Sequence, residues 1–265
     1  MSAVLETTGL SVRFGGVRAV DDVDIAVEKG QLVGLIGPNG AGKTTFIDAI
    51  TGFVRSTGRV ELDGHDLAGL PPHARAQRGL ARTWQSTELF DDLTVWENLS
   101  VAAQRPSFLS LAAELVGKRV AESAAAERAL ELLDLGPIAE AMPAELTQGQ
   151  RKLVGVARAI AMEPRLLCLD EPGAGLDTNE SEDLGRRLRG LADAGTTTLL
   201  IDHDMGLVMT ICDSITVLEF GQVIAAGPPD EVRRDARVVT AYLGSTATTK
   251  TGGAVLPDEA EVGRA

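Results

Sequence analysis

Residues Gly37 to Thr45 read GPNGAGKTT, a spacing suited to holding phosphate. The run fits G-x-x-x-x-G-K-[ST], with Gly37, Gly42, Lys43 and Thr44 in the required places. The glycines let successive backbone N–H groups turn inward around phosphate oxygens, and a following helix adds the positive end of its dipole. Pro38, Asn39, Gly40, Ala41 and Thr45 complete the cradle. Lys43 has the reach to bond β- and γ-phosphates, and the Thr44 hydroxyl is placed to ligate Mg²⁺. Such a loop needs acids at the end of a neighbouring strand. Leu166 to Leu169, four apolar residues, run into Asp170 and Glu171. Asp170 is expected to hold Mg²⁺, directly or through water, and Glu171 to polarise a water for in-line attack on the γ-phosphate. These residues predict a nucleoside triphosphate with Mg²⁺.

The elements that must position these residues are legible around them. The apolar run Leu32-Val33-Gly34-Leu35-Ile36 reads as a buried strand entering the loop, and Thr45 to Ile50 as the helix leaving it. Upstream, residues 4–6, 10–14 and 23–27 alternate as short strands, punctuated by Gly15-Gly16 and Lys29-Gly30. Gly58 to Gly64 reads as another short strand closing a hairpin. Between about 95 and 142 Ala, Glu, Leu and Arg dominate, a helical composition. Residues 166–169 and 197–201 are continuous apolar runs of the parallel-sheet kind, separated by a helix over about 179–193, which makes a βαβ unit. Residues 214–219 and 222–226 read as a hairpin. The expected architecture is an α/β nucleotide-binding core with an N-terminal antiparallel β subdomain and an inserted α-helical subdomain over about 88–162. Residues 245–265 are expected to form a disordered tail.

The chain has 265 residues, 44% of them hydrophobic, enough for one substantial core. Its net charge of −13 argues against a nucleic-acid partner. Cys168 and Cys212 sit in apolar surroundings without metal-ligand spacing and read as reduced buried thiols. No apolar run approaches the roughly 20 residues needed to span a bilayer, so the sequence predicts a soluble chain that can still dock on a membrane protein.

Over about residues 3–244 the chain resembles the ATP-binding-cassette (ABC) ATPases, P-loop NTPases with a RecA-like core. Pro172 to Asp177, with Gly175, Leu176 and Asp177, is similar to that family's D-loop. His203 resembles its switch histidine, Gln85 its Q-loop glutamine, and Leu146-Thr147-Gln148-Gly149-Gln150 occupies the place of its LSGGQ signature. The resemblance implies that Gln85 ligates Mg²⁺ or the attacking water, that His203 bonds the γ-phosphate, and that Phe14, with Val20, contacts the adenine side of ATP. It also implies that the signature of one subunit closes over ATP held by another, in a homo- or heterodimer. Thr147 and Gln148 depart from the consensus. The Thr147 hydroxyl keeps the capping and donor roles, whereas the Gln148 side chain narrows the approach.

A finer resemblance is to importers of branched-chain and other hydrophobic amino acids. Phe14 to Val20, Ala81 to Gln85, Leu89 to Asn98, Val217 to Ala225 and Ala241 to Gly244 carry it. It implies membrane permease subunits, an extracytoplasmic substrate-binding protein, and a place at the cytoplasmic face of the membrane. The permease is expected on the Gln85–Asn98 surface, with Trp96 packed inward and some of Leu89 and Phe90 lining the groove. Urea and short-amide importers share much of this pattern. A soluble ABC ATPase of translation or repair, an exporter cassette and a binding module without turnover stand as alternatives. Retention of Lys43, Asp170, Glu171 and His203 argues against the last.

Overall fold

Strands buried on both faces read as near-continuous apolar runs, and the two strands that flank the chemistry do so up to the Asp170 that ends the second. The computed structural model describes residues 3–84, 88–104 and 124–248. In it β3 (Leu32–Ile36) and β7 (Leu166–Asp170) are buried along their whole length. They belong to a six-stranded sheet with β6 (Leu80–Arg82), β8 (Thr198–Ile201), β9 (Ser214–Glu219) and β10 (Gln222–Gly227), in the order β10-β9-β3-β8-β7-β6. All neighbours are parallel except β10, which returns antiparallel on β9. A four-stranded antiparallel sheet, ordered β2-β1-β4-β5, is built from β1 (Ala3–Phe14), β2 (Val17–Glu28), β4 (Thr57–Leu62) and β5 (His65–Asp66).

Alternation of side chains along a strand divides the interior in two. Val33 and Leu35 of β3, with Leu166 and Cys168 of β7, face a core shared with the antiparallel sheet and with Phe46, Ile47 and Ile50 of α1 (Lys43–Thr51). Leu32 and Ile36, with Leu167 and Leu169, face the other core, which holds the remaining helices. Burial at the first of these cores pushes the Cys168 thiol up to about 12, so it is a packing group.

The N-terminal strands depart from expectation. The separate segments at 4–6 and 10–14 are one strand, β1, whose pairing with β2 slips between Thr7 and Leu10. Gly9 there takes a φ of 60°, and the slip interrupts the alternation that made one strand look like two. β2 likewise reaches from Val17 to Glu28.

After β5, the short helix α2 (Pro72–Gln77) leads to β6. The helical lobe then follows: α3 (Val95–Ala103), α4 (Ala124–Leu132) and α5 (Gln148–Ala161) pack on one another. Buried Asn98 shapes the approach to α3. Its amide nitrogen reaches the carbonyls of Phe90, Leu93 and Thr94 at 3.0–3.1 Å, and its oxygen accepts the Phe90 N–H at 2.9 Å. Asn98→Leu keeps the volume but strands these backbone groups, and is expected to cost about 2 kcal/mol, read as a lowered urea midpoint. An unchanged midpoint would show that water replaces every lost bond.

The chain continues through α6 (Thr178–Asp193), which joins β7 to β8 as a βαβ unit, and α7 (Met205–Ile211). It ends in α8 (Pro229–Arg234) and α9 (Ala236–Thr248). The tail boundary at 244 is therefore corrected: the last helix runs four residues further. Residues 249–265 of the expected tail lie outside the described residues.

Candidate nucleotide-binding and hydrolysis site

The loop Gly37–Gly42 leaves β3 and enters α1. Gly37 and Gly42 have φ of 152° and 103°, and a side chain on either would stand 2.1–2.2 Å from a carbonyl oxygen, that of Leu218 or of Ala19. The loop is thus seated on the backbone of β9 and β2. The first N–H groups of α1, at Lys43, Thr44 and Thr45, have no intrahelical carbonyl, and they donate to no protein group among the described residues. Asn39, Gly40 and Thr44 are exposed. Ala41 is buried, its N–H given to Pro38 O at 3.1 Å, so its contribution is to the shape of the loop.

Lys43 arcs back over this loop, donating to Gly37 O at 2.7 Å and Pro38 O at 3.1 Å. Its side chain has little exposed surface; burial draws its pKa down, while the charges of Glu171, Asp170 and Asp202 push it up. An ammonium facing carboxylates and unfilled amides is the arrangement that a polyphosphate and a cation complete.

Asp170 ends β7. Its Oδ2 accepts from Arg82 Nη2 at 2.7 Å, and its buried Oδ1 has no hydrogen-bond partner among the described residues. A buried anionic oxygen left over, with the exposed Thr44 hydroxyl on the loop, fits the hard oxygen ligation of Mg²⁺. Glu171, the next residue, is held in the left-handed region at φ 47°, unusual for a side chain with a Cβ. Its N–H donates to Ile201 O at 2.7 Å, and its carbonyl lies 3.5 Å from Lys152 Nζ. The backbone is thereby gripped on both sides, and the carboxylate turns toward His203, with 3.8 Å between Oε2 and Nδ1. That distance exceeds a hydrogen bond, so the two groups face each other across a gap. His203 is more than half exposed, and its N–H donates to Asp202 Oδ1 at 2.7 Å.

The other expected residues divide. Phe14, at the end of β1, is 54% exposed and offers a free aromatic face. Val20 is corrected: it is 0% exposed, packed in the β-lobe core, and has no side-chain surface for a nucleotide. Gln85 lies outside the described residues. Trp96 packs inward as expected. Leu89 does not line a groove: it is buried in the helical-lobe core, beside Glu88, whose carbonyl accepts from Arg158 at 2.5 Å. Phe90 is exposed.

In the signature, Thr147 caps α5. Its hydroxyl accepts the Gln150 N–H at 3.2 Å, and the Gln150 side chain accepts the Thr147 N–H at 2.9 Å, a reciprocal capping box. Leu146 packs partly into the core, whereas Thr147 and Gln148 are exposed. The Gln148 amide lies against Gly175 of the D-loop, and the Gly149 N–H donates to Glu180 Oε1 at 3.3 Å. Leu176 is partly buried in the core beneath this loop. Asp177 caps α6 by accepting the Glu180 N–H at 2.9 Å. The groove beside Thr147, Gly149 and Gln150 is lined by α5, α6 and the loop after α4, without any phosphate-loop residue. Within one chain the two halves of the expected ATP site are thus separate.

A profile of the ABC transporter family matches residues 20–174, more than half of the chain. The chain belongs to the ABC transporter ATP-binding family. A profile of branched-chain amino acid ATP-binding cassette transporters matches residues 222–248. The high-affinity branched-chain amino acid transport ATP-binding protein BraF of Pseudomonas aeruginosa is 42% identical over 249 residues, 91% of this chain and 98% of its own. LivG of Escherichia coli K12, described in the same words, is 40% identical over 249 residues with the same coverage. Among solved structures, a nucleotide-free ATP-binding cassette from an ABC transporter matches with a TM-score of 0.78 at 32% identity, over 91% of this chain and 99% of that one.

Three residues of the cassette site escaped the sequence reading. Asp202, wholly buried, accepts the N–H groups of His203, Asp204 and Gly173, tying His203 to the Pro172–Asp177 loop. Its signal was an acid directly before His203. Lys152, one turn into α5, reaches the carbonyl of Glu171. Tyr242 of α9 meets the Gly37 backbone; burial pushes its phenol up to about 12, with that backbone contact pulling the other way. Neither Lys152 nor Tyr242 had a local signal, since each acts on a segment remote in sequence.

Proposed function

We propose that the chain binds and hydrolyses ATP as the cytoplasmic motor subunit of an ABC importer, and that the cargo is a branched-chain or other hydrophobic amino acid. The observation that carries the reading is the convergence of Lys43, Asp170 and Glu171 at the ends of β3 and β7. There an ammonium and unfilled loop amides face a carboxylate with a free buried oxygen and a second carboxylate beyond it. The relatives named for branched-chain amino acid transport, and the matching C-terminal segment, support the cargo class.

The loop amides and Lys43 bind the β- and γ-phosphates, and Phe14 stacks on the base. Thr44, Asp170 and Gln85 would hold Mg²⁺, which when bound neutralises charge on the phosphate oxygens. Glu171 accepts a proton from the attacking water as its oxygen bonds to the γ-phosphorus and the bond to the bridging β–γ oxygen breaks; ADP takes the departing electron pair. His203 donates to the γ-phosphate and fixes the line of attack. The second half of the site comes from another cassette, whose Leu146 to Gln150 segment or its equivalent closes over the nucleotide, with the D-loop Gly175, Leu176 and Asp177 at the seam.

Among the described residues no helix is long and apolar enough to cross a membrane; the membrane step is assigned to permease subunits. The exposed Trp84 lines a groove between the sheet and the helical lobe, and the exposed Phe90 lies against Arg158 of that lining; this is the surface proposed for them. Coupling follows if ATP binds the closed dimer better than the open one. An extracytoplasmic binding protein selects the cargo. Reconstitution with the permease subunits and binding protein of a branched-chain amino acid importer is expected to give ATP-dependent leucine uptake into proteoliposomes. Leucine-independent ATPase rates together with no leucine uptake would refute the cargo assignment.

A further inference from the structure

The Arg82 side chain is 5% exposed and sits between two carboxylates. Its Nη1 donates to Asp48 Oδ1 at 2.5 Å, and its Nη2 to Asp170 Oδ2 at 2.7 Å. The Trp84 ring covers the guanidinium, 4.2 Å from its carbon, and Phe53 meets that ring edge-on at 5.0 Å. The strand below is fixed too. Arg82 pairs with Cys168 across β6 and β7, Thr83 N–H donates to Cys168 O at 2.9 Å, and Asp170 N–H donates to Thr83 Oγ1 at 3.3 Å. Asp170 is therefore held at its backbone by Thr83 and at one carboxylate oxygen by Arg82. The other oxygen, Oδ1, is buried and without a hydrogen-bond partner among the described residues.

One cation between two acids leaves this cluster with an excess negative charge, and the uncompensated buried acceptor is Asp170 Oδ1. We propose that Arg82 is a positioning residue for the metal site: by clamping Oδ2 it fixes the Asp170 rotamer in which Oδ1 is presented to the cation. Only a planar fork can span both carboxylates. A lysine places one ammonium and must choose between them. Asp48 and the Trp84–Phe53 pair anchor the fork from the far side, so the metal ligand is braced against a half-exposed aromatic surface. This role rests on the proposed ATPase reading.

The test uses the full chain with ADP as the nucleotide probe and Mn²⁺, followed by electron paramagnetic resonance, as the metal. Arg82→Lys is expected to weaken Mn²⁺ binding to the ADP complex by about tenfold to a hundredfold, the usual effect of losing the group that orients a metal ligand. ADP affinity without metal is expected to stay within about twofold, since the phosphate loop is untouched. Asp48→Asn, which loosens the same fork from the partly exposed side without stranding a buried cation, is expected to act in the same direction and less. In turnover, Arg82→Lys is expected to raise the half-saturating Mg²⁺ concentration and to recover rate when Mg²⁺ is raised. Wild-type Mn²⁺ affinity in Arg82→Lys would overturn the proposal. So would an equal loss of metal-free ADP affinity, which would mark general damage to the site. If the wild-type chain itself bound no ADP, the ATPase reading would fail instead.

Discussion

Glu171→Gln is expected to retain ATP affinity while turnover falls by about 10²- to 10⁴-fold, the usual contribution of a positioned general base. The phosphate loop and Asp170 are untouched by the change. Because Gln is nearly isosteric, the N–H bond to Ile201 O and the Lys152 contact that fix this backbone remain. The carbonyl and amide ends of Gln cannot take a proton from water at neutral pH. ATP should therefore accumulate in the closed state, and a dimer that forms transiently in the wild type should persist on a sizing column when ATP and Mg²⁺ are present. Steady-state ATPase at the wild-type rate would falsify the assignment of Glu171 as the base. Persistence of a dimer with ADP alone would show that closure does not depend on the γ-phosphate.

Lys43→Ala acts one step earlier. Its ammonium is held by two carbonyls of the loop and faces three carboxylates, so in the proposed site it serves both as a phosphate ligand and as a local positive charge. Hydrogen bonds to charged groups contribute about 1.5–3 kcal/mol each, and at the upper end loss of one weakens binding by roughly two orders of magnitude. Arg82 still pairs with Asp170, and Lys152 still faces Asp202 and Glu171, but no ammonium is left over the loop when a tetraanionic nucleotide arrives. Calorimetric titration of ATP is expected to show that loss in the variant; an unchanged dissociation constant would mean that the loop binds phosphate through its amides alone. The two variants differ in kind. One binds and does not turn over, and the other fails to bind.

The parts of this molecule that were readable from its residues are those whose physics is local. A phosphate loop is specified by glycine spacing over nine residues, and the buried strands before it and before Asp170 are continuous apolar runs. A capping box needs only Thr147 and Gln150, or Asp177 and Glu180, three apart. What escaped lies across the chain. Arg82 grips Asp48 and Asp170, 34 and 88 positions away, and no pattern within a window links them. The burial of Val20 also runs against the local pattern. The strand alternation that buries Val23, Ile25 and Val27 would turn an even-numbered residue outward, but the register slips between Val20 and Val23, where Asp22 takes a φ of 57°. One residue out of phase sends a side chain to the other face. Leu89 shows the converse, an apolar residue in a loop that looked available to a partner and instead completes the core beneath it.

The sheet that separates the two cores has a thermodynamic consequence. Leu167 and Leu169 belong to one side and Leu166 and Cys168 to the other, so the same five-residue strand is a party wall between lobes. Neither lobe can melt by itself without uncovering one face of β3 and β7. The desolvated backbone of these strands makes that exposure costly for both compartments at once. The β lobe and the sheet-facing helices therefore unfold as one cooperative unit, and the start of α1 with Lys43 and the end of β7 with Asp170 and Glu171 belong to the last part of the molecule to lose its order.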